Sequence, residues 1–323
     1  MPGLPEISWA EGSCGIFRRA VAPVNLAQCR FHGQTLAREP NFWISKDDVL
    51  ADGQAGDGCV LSAVRELLQY AKRQGLPDNW AGVEWWVQMY DRGKGLAFHF
   101  DKDETLMAQQ QTMHQPVLSS ILYLTGSYQA DRLGPSVIVD QAFDPDEGEA
   151  VPEMPVQSML IYPETGLYCI FDGKLAHGVL ESTSQQDRAT LLVNWWTAQP
   201  QGIAAAPPRV QELLASSECS HPHEREPSAP LAVAQVKVDA DAGPIMVDDL
   251  LEAAGVRLLG SEASHAVAFW HPQHQLHPLD LEAAGGQQRC LTAAAFVPSS
   301  MMASGSESES ADEDSSIPAG DPA

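Results

Sequence analysis

The segment Leu96-Ala-Phe-His-Phe-Asp-Lys-Asp-Glu104 places an imidazole and a carboxylate two residues apart, at His99 and Asp101. On an extended strand, alternate side chains share a face, so the two groups project together while Phe98 and Phe100 turn to the opposite layer. One His and one Asp make two thirds of the facial set that holds iron(II) and leaves coordination positions open for a co-substrate and oxygen. A second imidazole, His177, opens a short apolar run in Phe171-Asp-Gly-Lys-Leu-Ala-His-Gly-Val-Leu180. Eleven positions on, Arg188 begins Arg-Ala-Thr-Leu-Leu-Val-Asn-Trp-Trp196, in which Arg188, Thr190, Leu192 and Asn194 share one face. A buried guanidinium beside a threonine hydroxyl calls for an anion to pair with it, and a carboxylate matches its planar fork.

These groups are far apart in the chain, so a sheet must bring them together. Short β-branched and aromatic runs recur at 84–90, 96–102, 117–125, 135–141, 156–162, 167–172, 177–181 and 188–196. Turn-forming residues separate them, as in Arg92-Gly93, Gly126-Ser127, Asp144-Pro145, Pro163-Glu164 and Asp172-Gly173. Eight such strands predict a sandwich or barrel. Ahead of them, Val60, Val64, Leu67, Leu68 and Ala71 fall at helical spacing, and Gly75 and Pro77 end the pattern. One amphipathic helix flanking eight strands makes the chain mainly β.

The order HxD, several strands, one His, then Arg resembles the iron(II) and 2-oxoglutarate dependent dioxygenase superfamily, over roughly residues 84–196. The resemblance implies a double-stranded β-helix, the jelly roll or cupin-like fold. In it the HxD ends the second core strand, the distal His begins the seventh and the Arg begins the eighth. It also implies an enzyme with His99, Asp101 and His177 as catalytic metal ligands for Fe(II), and 2-oxoglutarate and O2 as co-substrates. Arg188 and Thr190, similar to the family's Arg-x-Ser/Thr motif, would then bind 2-oxoglutarate. The implied reaction is hydroxylation or oxidative demethylation with release of succinate and CO2, and the presence of Asp101 favours it over halogenation. Locally, Gln88-Met-Tyr90 followed by His99-Phe-Asp101-Lys-Asp-Glu104 is similar to the AlkB-type nucleic-acid dealkylases, which adds Tyr90 and Gln88 as co-substrate contacts. The chain departs from that pattern: Gln88 replaces an Asn, the His177-to-Arg188 spacing is short, and Asn194 stands where a second Arg is found. The run 84–101, with 135–141 and 171–180, is also similar to uncharacterised plant and algal oxygenase-like proteins.

Charge narrows the partners. The 323 residues carry 19 Lys+Arg against 43 Asp+Glu, a net charge of -24. Such a chain lacks the clustered cations that neutralise phosphate backbones or anionic lipid, so a nucleic acid or membrane partner is disfavoured. The prime substrate, unidentified, is expected to be a small molecule or a protein side chain. An AlkB-like dealkylase and a jelly-roll binding module without turnover are the alternatives. Six scattered cysteines without CxxC spacing read as reduced thiols of an intracellular, cytoplasmic protein. Arg18, Arg19, Arg30 and Arg38 in an acid-poor beginning leave an organellar address as the alternative.

The organisation expected is an N-terminal segment over 1–56 with little periodicity, the oxygenase domain over 57–198, and a Pro- and Ala-rich linker over 199–230. Residues 231–298 form either a small appended subdomain or an extension, with alternation at 233–238 and a helix at 247–254. The acidic, Ser-rich stretch 299–323 is expected to be a disordered tail. His271, His274 and His277 are spaced as a His-x-x-His-x-x-His run, but Pro272 and Pro278 break helical geometry, and a polar loop is the better reading. His221 and His223 belong to the linker. Tyr123 faces the sheet interior as a packed aromatic or a co-substrate contact, and 103–115 is a candidate lid.

Overall fold

The computed structural model describes residues 14–216 apart from 52, 54–56, 127–132, 147, 153–156 and 181–183, together with three later strands. In chain order the elements are β1 (Cys14–Phe17), α1 (Pro23–Leu36), β2 (Phe42–Ser45), α2 (Lys46–Leu50), α3 (Cys59–Arg73), β3 (Gly82–Tyr90) and β4 (Leu96–His99). There follow α4 (Glu104–Gln110), β5 (Leu118–Tyr123), β6 (Ser136–Asp144), β7 (Glu149–Val151), β8 (Gln157–Ile161), β9 (Tyr168–Asp172), β10 (Leu175–Val179) and β11 (Arg188–Trp196). The described elements close with α5 (Pro208–Ala215), β12 (Val233–Lys237), β13 (Pro244–Met246) and β14 (Ala268–Trp270).

Two main antiparallel sheets are ordered β1-β9-β5-β11-β3-β2 and β12-β8-β6-β10-β4, with β7 beside β6, and β13 pairs with β14 separately. Numbering the eight core strands β3, β4, β5, β6, β8, β9, β10 and β11 as one to eight gives central orders 6-3-8-1 and 5-4-7-2. Successive strands thus alternate between the sheets, except four and five, which are neighbours in one sheet, and wind a double-stranded β-helix, as expected. All eight anticipated strands are present.

Alternation along β11 assigns each side chain a layer. Ala189, Leu191, Val193 and Trp195 join Val83, Trp85 and Val87 of β3 in a core covered by Val60, Val64 and Leu67 of α3 and by Leu26 and Leu36 of α1. The other face looks between the sheets, where Ile121, Tyr123, Ile138, Met159, Cys169, Phe171 and Leu175 pack together with Leu192 alongside. The tryptophans at 85, 195 and 196 are buried, in keeping with a packing role.

Two regions differ from the expectation. The segment 1–56 contains α1, β2 and α2, and β2 pairs with β3 from Phe42↔Trp85 to Ser45↔Gly82. Its periodicity is hard to read because the buried positions of α1 include Cys29, His32 and Gly33. In the expected linker, α5 packs on α1 and α3. Val210 and Leu214 are its buried residues and Leu213 packs beside them half-buried, too few apolar residues to mark a helix in a Pro- and Ala-rich stretch. β12 adds to the second sheet beside β8. The helix expected at 247–254, the His221, His223, His271, His274 and His277 positions and the tail 299–323 lie outside the described residues. Cys14, Cys29, Cys59 and Cys169 are free thiols. Among the described residues no helix is long and apolar enough to cross a membrane.

Candidate metal and anion site

β4 and β10 lie side by side, and His99 and His177 are directly opposite in register. Gly178 permits this approach: a Cβ there would meet the Leu96 carbonyl oxygen at 2.9 Å. The strand expected at 96–102 ends at His99, because Asp103 already caps α4 by accepting from the Leu106 N–H at 2.8 Å. Asp101 therefore sits just past the strand, on the same side as His99. The strand expected from His177 begins two residues earlier, at Leu175.

Ligand atoms of His99, Asp101 and His177 lie within 4.8 Å of one another, the one such group of three His, Cys, Asp or Glu residues among the described residues. The His99 Nε2 lies 3.7 Å from Asp101 Oδ1 and the His177 Nε2 3.6 Å from Asp101 Oδ2. Each Nδ1 is 3.0 Å from a backbone carbonyl, Ala97 for His99 and Leu175 for His177. A carbonyl only accepts, so each Nδ1 carries the proton and each Nε2 presents its lone pair to the shared centre. That is the tautomer metal ligation needs, held by the outer hydrogen bond found at such sites.

Electrostatics agree. Desolvation, then the neighbouring His177, pushes the His99 imidazole down to about 4, so it is neutral at pH 7 although 36% of its side chain remains exposed. Burial works to raise the Asp101 carboxyl, but His177, His99 and hydrogen bonds from Ser119 and Asn194 hold it below its ordinary value. Ser119 Oγ donates to Asp101 Oδ2 at 2.6 Å. The edge of Phe171 closes on His177 with ring centroids 5.0 Å apart.

Toward the far end of the sandwich, Arg188 is 3% exposed. Its Nη2 donates to Ser136 Oγ at 2.6 Å. The guanidinium carbon stands 5.0 Å from the Tyr90 ring centroid and 5.4 Å from that of Tyr123. Tyr123 also donates to Ser136 Oγ at 2.7 Å, and burial raises both phenols above their ordinary range. No carboxylate among the described residues pairs with Arg188, and its buried Nε has no partner. A desolvated cation without an anion is costly, so this cluster fits an incoming carboxylate. Ser136 is two residues along β6 from Ile138, which pairs with His177. At a strand rise of about 3.3 Å per residue, the guanidinium end and the imidazole end are separated by about 7 Å along the strand, the scale of a five-carbon diacid.

Tyr90 is opposite Arg188 in register, and Gln88 is opposite Thr190. Thr190 is buried and Gln88 half-buried beside this cluster. Ser119, Ser136 and the contact of Asn194 with Asp101 were not among the site residues expected. The available signal was polar residues inside otherwise buried strands: β5 reads Leu-Ser-Ser-Ile-Leu-Tyr and is buried throughout. The lid candidate 103–115 carries the exposed α4, with Asp103 accepting also from the Gln201 N–H at 2.7 Å.

No family model matches the chain, and no curated protein gives a significant match to it. Similar solved structures include a prolyl-4-hydroxylase of Pseudomonas putida, at 19% identity and a TM-score of 0.36, covering 59% of this chain and 90% of that one. An oxidoreductase of the 2OG-Fe(II) oxygenase family from Burkholderia pseudomallei matches at 13% identity and a TM-score of 0.37, over 61% and 90%. HygX from Streptomyces hygroscopicus, solved with nickel and 2-oxoglutarate bound, matches at 10% identity and a TM-score of 0.37, over 61% and 85%.

Proposed function

We propose that the chain is an Fe(II)- and 2-oxoglutarate-dependent oxygenase that hydroxylates or oxidatively demethylates a small molecule or a protein side chain. The reading rests on one observation above all. Two imidazoles with their Nδ1 protons tied to carbonyls face a single carboxylate, in the same sandwich as a buried guanidinium that has no acidic partner among the described residues.

His99, Asp101 and His177 would hold the metal by three protein ligands and leave the remaining positions for co-substrate and oxygen. Arg188 would grip the distal carboxylate of 2-oxoglutarate, with Ser136 fixing one edge of the guanidinium and Tyr90 and Tyr123 walling its faces. Thr190 and Gln88 line the same stretch. When bound, iron(II) would activate O2, the oxidant, while 2-oxoglutarate gives up two electrons and leaves as succinate and CO2. Ile121, Phe171 and Leu192 exclude water between the two ends, which strengthens each charge contact there. With a net charge of -24 a polyanionic substrate is disfavoured, which weighs against a nucleic-acid dealkylase.

The test is succinate formation from 2-oxoglutarate with Fe(II) and ascorbate, run beside Asp101→Ala. Turnover that depends on Asp101 is expected even without prime substrate, at a low uncoupled rate. A wild-type protein that binds neither Fe(II) nor Co(II) would sink the proposal. One that binds both metal and 2-oxoglutarate yet never releases succinate would instead be a binding module.

A further inference from the structure

Strand β1 is the four-residue edge strand of the first sheet, and it pairs with β9 from Cys14↔Phe171 to Phe17↔Tyr168. Its side chains alternate between two layers. Phe17 packs on Tyr70 of α3 with ring centroids 4.4 Å apart. Cys14 and Ile16 turn inward onto the cluster that holds Ile121, Cys169 and Phe171. There the Cys14 and Cys169 sulfurs lie 3.6 Å apart. Both are free thiols, Cys14 half-buried and Cys169 fully buried. As small apolar groups, either could be a valine or an alanine. What two thiols in contact add, and no hydrocarbon does, is the ability to bond to each other.

We propose that Cys14 and Cys169 are the site of a reversible disulfide, which fastens β1 to β9 when the protein meets a low-molecular-weight disulfide. The chemistry is two exchange steps. The Cys14 thiolate attacks one sulfur of the reagent, whose S–S bond breaks and whose other half leaves as a thiolate and takes up a proton. Cys169 then gives up its proton and attacks the Cys14 sulfur, closing the protein bond and expelling the second thiol. The chain loses two hydrogens with two electrons, and the reagent gains both as two thiols. Cys14 goes first because solvent reaches it. Burial, with Cys14 beside it, holds the Cys169 thiol well above its ordinary value, so it reacts only with a sulfur already in contact.

The register makes the bond reversible. Cys14 faces Phe171 and Cys169 faces Ile16, so the two are diagonal neighbours. Diagonal Cα atoms lie about 7–8 Å apart, beyond the spacing of about 5.5–6 Å that most disulfides adopt. Bonding must draw β1 along β9, a shift open to a short edge strand, and disulfides away from the common geometry are the more easily reduced. Cys169 stands opposite Ile121 on β5, between Phe171, which closes on His177, and Leu167, whose carbonyl accepts from the Tyr123 N–H at 2.9 Å. One bond at the sheet edge thus fastens the strand that borders both ends of the proposed site.

The experiment incubates the folded full chain with oxidised glutathione, alkylates the remaining thiols and maps the peptides by mass spectrometry, beside a thermal melt. A Cys14–Cys169 linked peptide that dithiothreitol abolishes is expected. The melting temperature should rise by about 5 °C or more, as for a bridge that closes a long loop. Cys14→Ser should give neither change. Absence of the linked peptide from the wild type, or Cys14 joined instead to Cys219 or Cys290, overturns the proposal. So does a bridge that leaves the melting temperature unchanged or lower, since β1 is then not fastened. If Cys14→Ser does not fold, Cys14→Ala is judged by the same readouts. Neither readout uses metal or 2-oxoglutarate, so failure here leaves the oxygenase reading standing, and the reverse also holds.

Discussion

The two faces of β11 differ in kind, although they alternate along the same nine residues. The face toward α1 and α3 carries Ala189, Leu191, Val193 and Trp195, all apolar and packed. The face between the sheets carries Arg188, Thr190 and Asn194, polar groups 3% exposed or less. Burial is equal on the two sides, so it does not separate structure from function. What separates them is the kind of polar group they bury. The first face has one polar side-chain atom, the Trp195 indole nitrogen, which like Arg188 Nε and Asn194 Oδ1 on the second finds no partner among the described residues. The second face buries a guanidinium, a hydroxyl and an amide. A fold tolerates such groups where something else needs them.

Substitutions can break this comparison, and the largest effect is expected at the metal ligands. Asp101→Ala should abolish Co(II) binding and bring succinate release to background, a loss of at least about a hundredfold, exceeding that of an outer hydrogen-bond partner. Calorimetric titration checks it, and retained binding would mean that the ion is held elsewhere. On the opposite face, Leu191→Ala should cost about 2–5 kcal/mol of stability by denaturant unfolding. It should leave metal affinity unchanged. A drop in affinity without loss of stability there would erase the distinction between the faces.

Glu84, across from Asn194, sharpens the contrast through pH. Burial is the main reason its carboxyl is pushed up to about 7, with Asp101 and Asp103 adding repulsion against the hydrogen bond from Asn41. The unfolded chain ionises Glu84 near its ordinary 4.5, while the folded protein keeps the proton. Stability from this group is therefore intact below about pH 4.5 and is lost as pH rises to about 7, by up to about 3 kcal/mol. Glu84→Gln should flatten that slope and raise the melting temperature at pH 8 relative to pH 5. A slope that survives the substitution would assign it to other groups.

The smallest of these effects belongs to Arg188. Arg188→Met should raise the 2-oxoglutarate concentration for half-saturation about tenfold to a hundredfold, as expected for losing charge-assisted hydrogen bonds of about 1.5–3 kcal/mol. Arg188→Lys should recover only part, since a point charge does not replace a planar fork. Unchanged saturation in both variants would leave the guanidinium without a ligand.

Much of the site's frame was legible in the linear chain because β-strands repeat every two residues. That period put His99 with Asp101, and Arg188 with Thr190 and Asn194, on shared faces before any partner strand was known. The helix at 59–73 was legible for the same reason, its apolar residues recurring at 3.6. Less legible were α1, whose buried face includes Cys, His and Gly, and α5, which buries only two residues fully. Ser119 and Ser136 were not legible as site residues. A serine in a strand has no signature that distinguishes a packed hydroxyl from a hydrogen-bond donor aimed at a particular carboxylate.

The sequence by itself determined which groups share a face, the sign and density of charge, and the order of ligand types along the chain, since these follow from local backbone geometry and composition. Only the tertiary structure decided which faces meet. It set His177 against His99, brought Ser119 and Asn194 across the sandwich to Asp101, and enclosed Arg188 among two phenols and a serine. Those contacts join residues up to about a hundred positions apart. They depend on strand order and register, which emerge when all the strands pack at once.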